Sequence, residues 1–204
     1  MANNCYNHIT IEYGNRKVEG SLEYLIDILS TDRLTKQTIA GDLFCMFFPP
    51  DAPEKFRANY VSNPKMDVYE EYGSKWFDVS DIDMEEDTIM FSGDSAWSPI
   101  NCLCQKISEY YQVTVEIEYE ESGNDMAGHY KYVNGNTEFE KNYSYMEFRY
   151  ISDGINYILE SIDQDFVMTY ESLWEYFKEQ KAMFKAMTQK DIIKLNEHYH
   201  EQLK

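Results

Sequence analysis

The sequence predicts an α+β domain, with helices on one face of a mainly antiparallel sheet, followed by a C-terminal helical hairpin. Three observations carry this. A strand–helix–strand unit occupies Asp87 to Glu121. Apolar and polar residues alternate between Tyr6 and Tyr13, near the start of the chain. The last forty residues change to helical spacing, with no long low-complexity linker before them. The expected division is an α+β domain over residues 1–151 and a helical extension packed on it over residues 152–204.

In the first strand, Cys5, Asn7, Ile9, Ile11 and Tyr13 fall on one side, and His8, Thr10 and Glu12 on the other, the period-2 pattern of a half-buried strand. Gly14 to Gly20 reads as a turn. Ser21 caps a helix that carries Leu22, Leu25, Ile26 and Leu29. Ile39 to Phe48 is a short apolar run, read as a strand or buried extended piece and ended by Pro49, Pro50 and Pro53. Glu54 to Pro64 reads as loop. Asp78, Asp81, Asp83, Glu85, Glu86 and Asp87 read as a solvated acidic loop, because the glycine and the distal glutamate of an EF-hand are missing.

The central unit begins with an apolar run, Ile89 to Ser92, taken as a strand. Ser98 and Pro99 then predict a helix start, with the serine as cap and the proline where an N–H has no partner to lose. Ile100, Leu103, Cys104, Ile107 and Tyr111 follow at helical spacing. Val113, Val115, Ile117 and Tyr119 then alternate with Thr114, Glu116, Glu118 and Glu120, giving a second strand. Trp97 precedes the helix, either as a staple-like cover over its start or as a stacking platform. Met126 to Val133 and Thr137 to Tyr143 form a hairpin around Asn134-Gly135. Tyr145 to Ile151 alternates and reads as strand, after which Ser152 caps a helix with Ile155, Ile158, Leu159 and Ile162. Thr169 and Thr188 start the two helices of the terminal hairpin, whose Phe177, Met183, Phe184 and Met187 are expected to support a homo-oligomer.

The formal charge is −19. Binding to a nucleic-acid backbone or an anionic membrane rests on lysine and arginine, so both are disfavoured, and a protein partner with a basic surface is favoured. No apolar run is long enough to span a bilayer, and the first residues lack the basic and apolar regions of a signal peptide, so a cytoplasmic protein is expected. Cys5, Cys45, Cys102 and Cys104 make no C-x-x-C pair and read as reduced thiols. His198 and His200 stand two apart and do not share a helix face. No metal, cofactor or catalytic residue is expected, because the sequence contains no nucleophile–base, phosphate-loop or zinc signature.

Four stretches resemble a known family. The opening Met-Ala-Asn-Asn-Cys-Tyr-Asn is similar to its first strand. Gly73-Ser74-Lys75-Trp76-Phe77-Asp78 is similar to its Gly-x-Lys-Trp-Asp motif, with Phe77 as an additional residue. Ala96-Trp97-Ser98-Pro99 matches its Ala-Trp-Ser-Pro motif, and Tyr119 to Gly128 resembles its strand-end turn. Over residues 1–140 the chain thus resembles the YubB-type ferredoxin-like proteins of phages and plasmids. The resemblance implies a ferredoxin-like sandwich, a mobile-element origin and a bacterial host cell, but no defined chemistry.

Two functional expectations follow. In the first, the protein is an accessory factor that acts by binding, as an inhibitor or decoy of a host-defence or nucleic-acid-binding protein. Its binding residues are the outward row Glu116, Glu118 and Glu120, spaced about 6.8 Å apart along the strand. In the second, Lys75, Trp76, Asp94, Trp97 and Tyr119 gather at one mouth that holds a nucleotide-like small molecule, as ligand or substrate, with lysine meeting an anion and tryptophan stacking on a base.

Overall fold

The computed structural model describes residues 3–14, 21–30 and 38–154, with positions 190 and 194. The chain divides at Asn142/Tyr143 into two compact units. The first unit contains β1 (Asn4–Glu12), α1 (Ser21–Ser30), β2 (Thr38–Ala40) and α2 (Val68–Tyr72), and then β3 (Trp76–Met84), β4 (Thr88–Ala96), α3 (Asn101–Tyr111), β5 (Thr114–Glu121) and β6 (Met126–Val133). Strand β7 (Asn136–Tyr143) reaches the division, and α4 (Tyr145–Asp153) belongs to the second unit.

The seven strands form one sheet in the order β2-β3-β4-β1-β5-β6-β7. Strand β1 pairs antiparallel with both β4 and β5. Strands β4 and β5 therefore run parallel to each other on either side of it, joined by a crossover through α3. With β1–α1–β3–β4–α3–β5 in chain order and β3-β4-β1-β5 in the sheet, this is the ferredoxin-like split β-α-β arrangement.

Strand alternation sends Ile9, Ile11, Phe91, Val115 and Ile117 to one face, where they are fully or almost fully buried. Leu22, Leu25 and Leu29 of α1 and Leu103, Cys104 and Ile107 of α3 complete the same apolar cluster. A second part of the core comes from the segment between β2 and β3. A 3-10 helix at Gly41–Phe47 buries Phe44 and Phe47, and Tyr72 donates its hydroxyl hydrogen to the Ala58 carbonyl at 2.7 Å. Of the apolar run Ile39 to Phe48, only the β2 residues Ile39 and Ala40 are strand, and most of the rest is this 3-10 turn. The stretch from Glu54 is loop with a short 3-10 turn at Glu54–Phe56.

Five local expectations are corrected. The stretch read as an acidic loop is mostly β3. A bulge at Ser80 breaks its alternation, since Val79 faces Gly93 while Asp81, two positions on, faces Ser92. Strand β4 runs on to Ala96, past the polar Gly93, Asp94 and Ser95, because Ser95 is buried against Asn7. Ser98 does not cap α3. Its hydroxyl donates to the Gly73 carbonyl, and the Ile100 N–H is taken by the Asn7 side chain from β1 at 3.2 Å. Tyr145 to Ile151 is helix rather than strand, because Ser144 Oγ accepts the Glu147 N–H at 3.1 Å, an N-terminal cap. Ser152 lies in the last turn of α4 and donates to the Arg149 carbonyl. The helices expected after Ser152, Thr169 and Thr188, and the oligomer surface they carry, lie outside the described residues. Among the described residues, no helix is long and apolar enough to cross a membrane.

Candidate functional site

Alternation that buries one side of the sheet under α1 and α3 sets the alternate residues on the other side, where Tyr6, His8, Asp78, Asp81 and Glu118 are exposed, Asp94 and Glu120 half-buried, and Ser92 buried. In β1 that side carries Asn4, Tyr6, His8, Thr10 and Glu12, and every second residue of the neighbouring strands joins it. The register aligns these residues into rows across the sheet. One row is Asp78, Asp94, Tyr6 and Glu120, on β3, β4, β1 and β5. The next is Asp81, Ser92, His8, Glu118 and His129. A third is Asp83, Met90, Thr10, Glu116 and Lys131. Adjacent members of a row sit about 5 Å apart between Cα atoms. On strands β1 and β3–β6, Lys131 is the sole Lys or Arg on this face.

The Ser80 bulge is the device that builds the acidic side of these rows. It returns Asp81 and Asp83 to the face already occupied by Asp78, while Ile82 stays opposite Phe91. Asp78 and Asp94 are direct cross-strand partners, an arrangement that costs stability because like charges meet. Glu116 is the carboxylate that finds cations. Lys131 Nζ lies 2.7 Å from it and His129 Nε2 3.5 Å. The hydrogen bond from Lys131, foremost, holds the Glu116 carboxyl below the usual carboxylate range. The expected row Glu116, Glu118 and Glu120 thus divides, with Glu116 partly neutralised and Glu118 exposed. Asp94, Asp78, Asp81 and Asp83, set across the sheet, extend the row where sequence spacing along one strand pointed only to β5.

The mouth expected from Lys75, Trp76, Asp94, Trp97 and Tyr119 does not assemble. Trp76 and Asp94 lie on the open face, by register and alternation. Tyr119 lies on the opposite, helix-covered face, 6 % exposed, and its hydroxyl donates to Asn142 Oδ1 at 2.8 Å. Trp97 follows the end of β4 in the left-handed region (φ 66°) and is 42 % exposed. Lys75 places its Nζ 5.4 Å from the centre of the Tyr69 ring.

Lys75 belongs instead to a cleft of about 560 Å³ between the β2 end, the loop before α2 and α2 itself. Tyr60, Lys65, Tyr69, Asp42 and Asp67 also line it, over a floor that includes the buried Met66 and Val68. The Gly41 N–H donates to the Lys75 carbonyl, and a Cβ at Gly41 would lie 2.1 Å from Val68 Cγ1, so this glycine lets the wall close on α2. Sequence spacing could not show the cleft, since its residues come from three separated stretches. Among the described residues, no group of three or more His, Cys, Asp or Glu side chains is arranged to hold a metal ion.

Residues 71–160 match a family model described as the ferredoxin-like domain in Api92-like protein. Among solved structures, the chain is similar to the crystal structure of a protein Api92 from Yersinia pseudotuberculosis, with a TM-score of 0.40 and 10% identity, over 71% of this chain and 99% of that one. No curated protein matches the chain. Strand order and family model agree that the chain carries a ferredoxin-like domain.

Proposed function

We propose that the protein acts by binding, with the open sheet face as its contact surface and a basic protein surface as its partner. The observation that carries this reading is the row Asp78, Asp94, Tyr6 and Glu120, with the second row through Asp81 and Glu118 beside it. Carboxylates set across several strands attract a two-dimensional cationic patch, raise the association rate and reject acidic competitors. Tyr6, 41 % exposed at the centre, supplies apolar area with a polar tip, which suits an interface anchor. The Asp78–Asp94 pair costs stability without serving the core, as expected of a face kept for function.

The partner class that fits is a protein that itself binds nucleic acid, whose basic patch this face complements by carrying the negative charge of a nucleic acid. Together with the resemblance to phage and plasmid YubB-type proteins, this favours an accessory inhibitor or decoy directed at a host-defence or nucleic-acid-binding protein in a bacterial cytoplasm. The test is capture of host proteins on immobilised wild type and on the Asp94→Lys/Glu118→Lys/Glu120→Lys variant. A specific host protein should be retained by the wild type, released between about 0.1 and 0.5 M salt as screening shortens, and lost on the variant. Equal capture by both removes the reading.

A further inference from the structure

We propose that the cleft beside α2 is a binding site for a free nucleoside monophosphate. The first argument is the placement of cations. Lys55 pairs with Glu109, Lys106 with Glu71 and Lys131 with Glu116, and Arg57 donates to the Phe48 carbonyl. Lys65 and Lys75 have no carboxylate partner among the described residues, and both line this one cleft. In a chain of net charge −19, two unneutralised ammonium groups converging on one concavity are well placed to hold an anion.

The second argument is the rest of the wall. Tyr60, 49 % exposed, and Tyr69, already beneath the Lys75 ammonium, offer ring faces to a planar base. Asp42 and Asp67 would repel a bare anion, yet they accept hydrogen bonds from ribose hydroxyls or an exocyclic amine. Asp67 Oδ1 is committed to the Tyr69 and Glu70 N–H groups at the start of α2, which leaves Oδ2 for a ligand. A ligand with one anionic end, a planar ring and donor groups between them satisfies all three features, and the cleft volume suits a small molecule of that size. A polynucleotide adds phosphates beyond the two lysines and meets the negative field of the rest of the molecule.

The test is calorimetric titration of the full chain with AMP, GMP, CMP and UMP, with adenosine, guanosine and inorganic phosphate as fragments, and with a short single-stranded oligonucleotide. At least one monophosphate should bind saturably at one site. Its nucleoside and inorganic phosphate should bind at least about tenfold more weakly, and the Lys65→Ala/Lys75→Ala variant should lose at least about tenfold in affinity. Both lysines are exposed, so the variant should keep the wild-type circular dichroism spectrum. The Asp94→Lys/Glu118→Lys/Glu120→Lys variant should bind the nucleotide within about threefold of wild type, which separates this site from the sheet face. Absence of saturable binding by all four monophosphates up to about 5 mM overturns the proposal. So does unchanged affinity in the lysine variant, or binding of the oligonucleotide alone.

Discussion

Asn7 on β1 caps the entry of α3 by accepting the Ile100 N–H on its side-chain oxygen at 3.2 Å, across 93 positions of sequence. Its amide donates to the Cys5 carbonyl at 2.7 Å and to Ser95 Oγ at 2.8 Å, so a fully buried polar side chain is satisfied at both ends. Asn7→Leu keeps the volume and strands the Ile100 N–H, while the Cys5 carbonyl keeps the Ser95 hydroxyl as a donor. The expected loss is about 1–3 kcal/mol, measured by urea unfolding. A change below about 0.5 kcal/mol would show that this capping bond contributes nothing net.

The acidic face predicts stabilisation by neutralisation. Asp78→Asn or Asp94→Asn removes a direct like-charge cross-strand contact. Each should raise stability by a few tenths of a kcal/mol, at most about 1, with the gain shrinking as salt is added. If binding uses this face, the same variants weaken partner capture, a trade of stability for function. A loss of stability in either variant would show that another contact outweighs the repulsion.

Glu116 sets an acid limit of the opposite kind. Its folded-state carboxyl titrates below the ordinary value near 4.5, chiefly because Lys131 donates to it. The sign follows directly. Its contribution is complete at neutral pH, begins to fall as pH drops through that ordinary value, and is gone below the folded one. Glu116→Gln should therefore flatten the stability-against-pH curve below about pH 4.5 and leave its shape at pH 6–8 unchanged. Chemical unfolding at stepped pH reads this out, and an identical acid limb in both proteins would contradict the assignment.

The thiols should be quiet in the folded state. Burial pushes the Cys5 thiol up to about 12, and raises Cys102 and the fully buried Cys104 as well. The thiolate is the reactive form. Iodoacetamide at pH 8 should leave Cys5 and Cys104 unlabelled in the native protein and label both in urea, as read by peptide mass spectrometry. Native labelling of Cys104 would mean that α3 opens readily.

Much of the fold was legible because its pattern is local. The alternation of Val113 to Glu120 and the spacing of Leu103, Cys104 and Ile107 fix β5 and α3 whatever surrounds them. The misread places each rest on something non-local or out of phase. The helix entry at Ile100 is satisfied from β1, which no local cap signal shows. In α4, Met146, Phe148 and Tyr150 imitate a strand, although Ser144 and Glu147 stand at capping-box spacing and were the better signal. For the site, the glutamates of β5 were visible because they share one strand. Their continuation through Tyr6, Asp94 and Asp78 depends on register, and the lysine cleft depends on tertiary folding of three segments.

The extra residue at Ser80 makes β3 two reading frames spliced end to end. Before it, odd positions such as Phe77 and Val79 turn inward, and after it the inward position is the even Ile82. Were Ser80 instead paired as an ordinary ladder residue, with no bulge, Asp81 and Asp83 would rotate under the helices and Ile82 would lift into water. An aspartate in the apolar layer is far costlier than one on the surface, so the strand would refuse to pair in that form. The acidic half of β3 can therefore drift in sequence without touching the packed half, and a new partner can be accommodated at the rim while the domain beneath stays as it is.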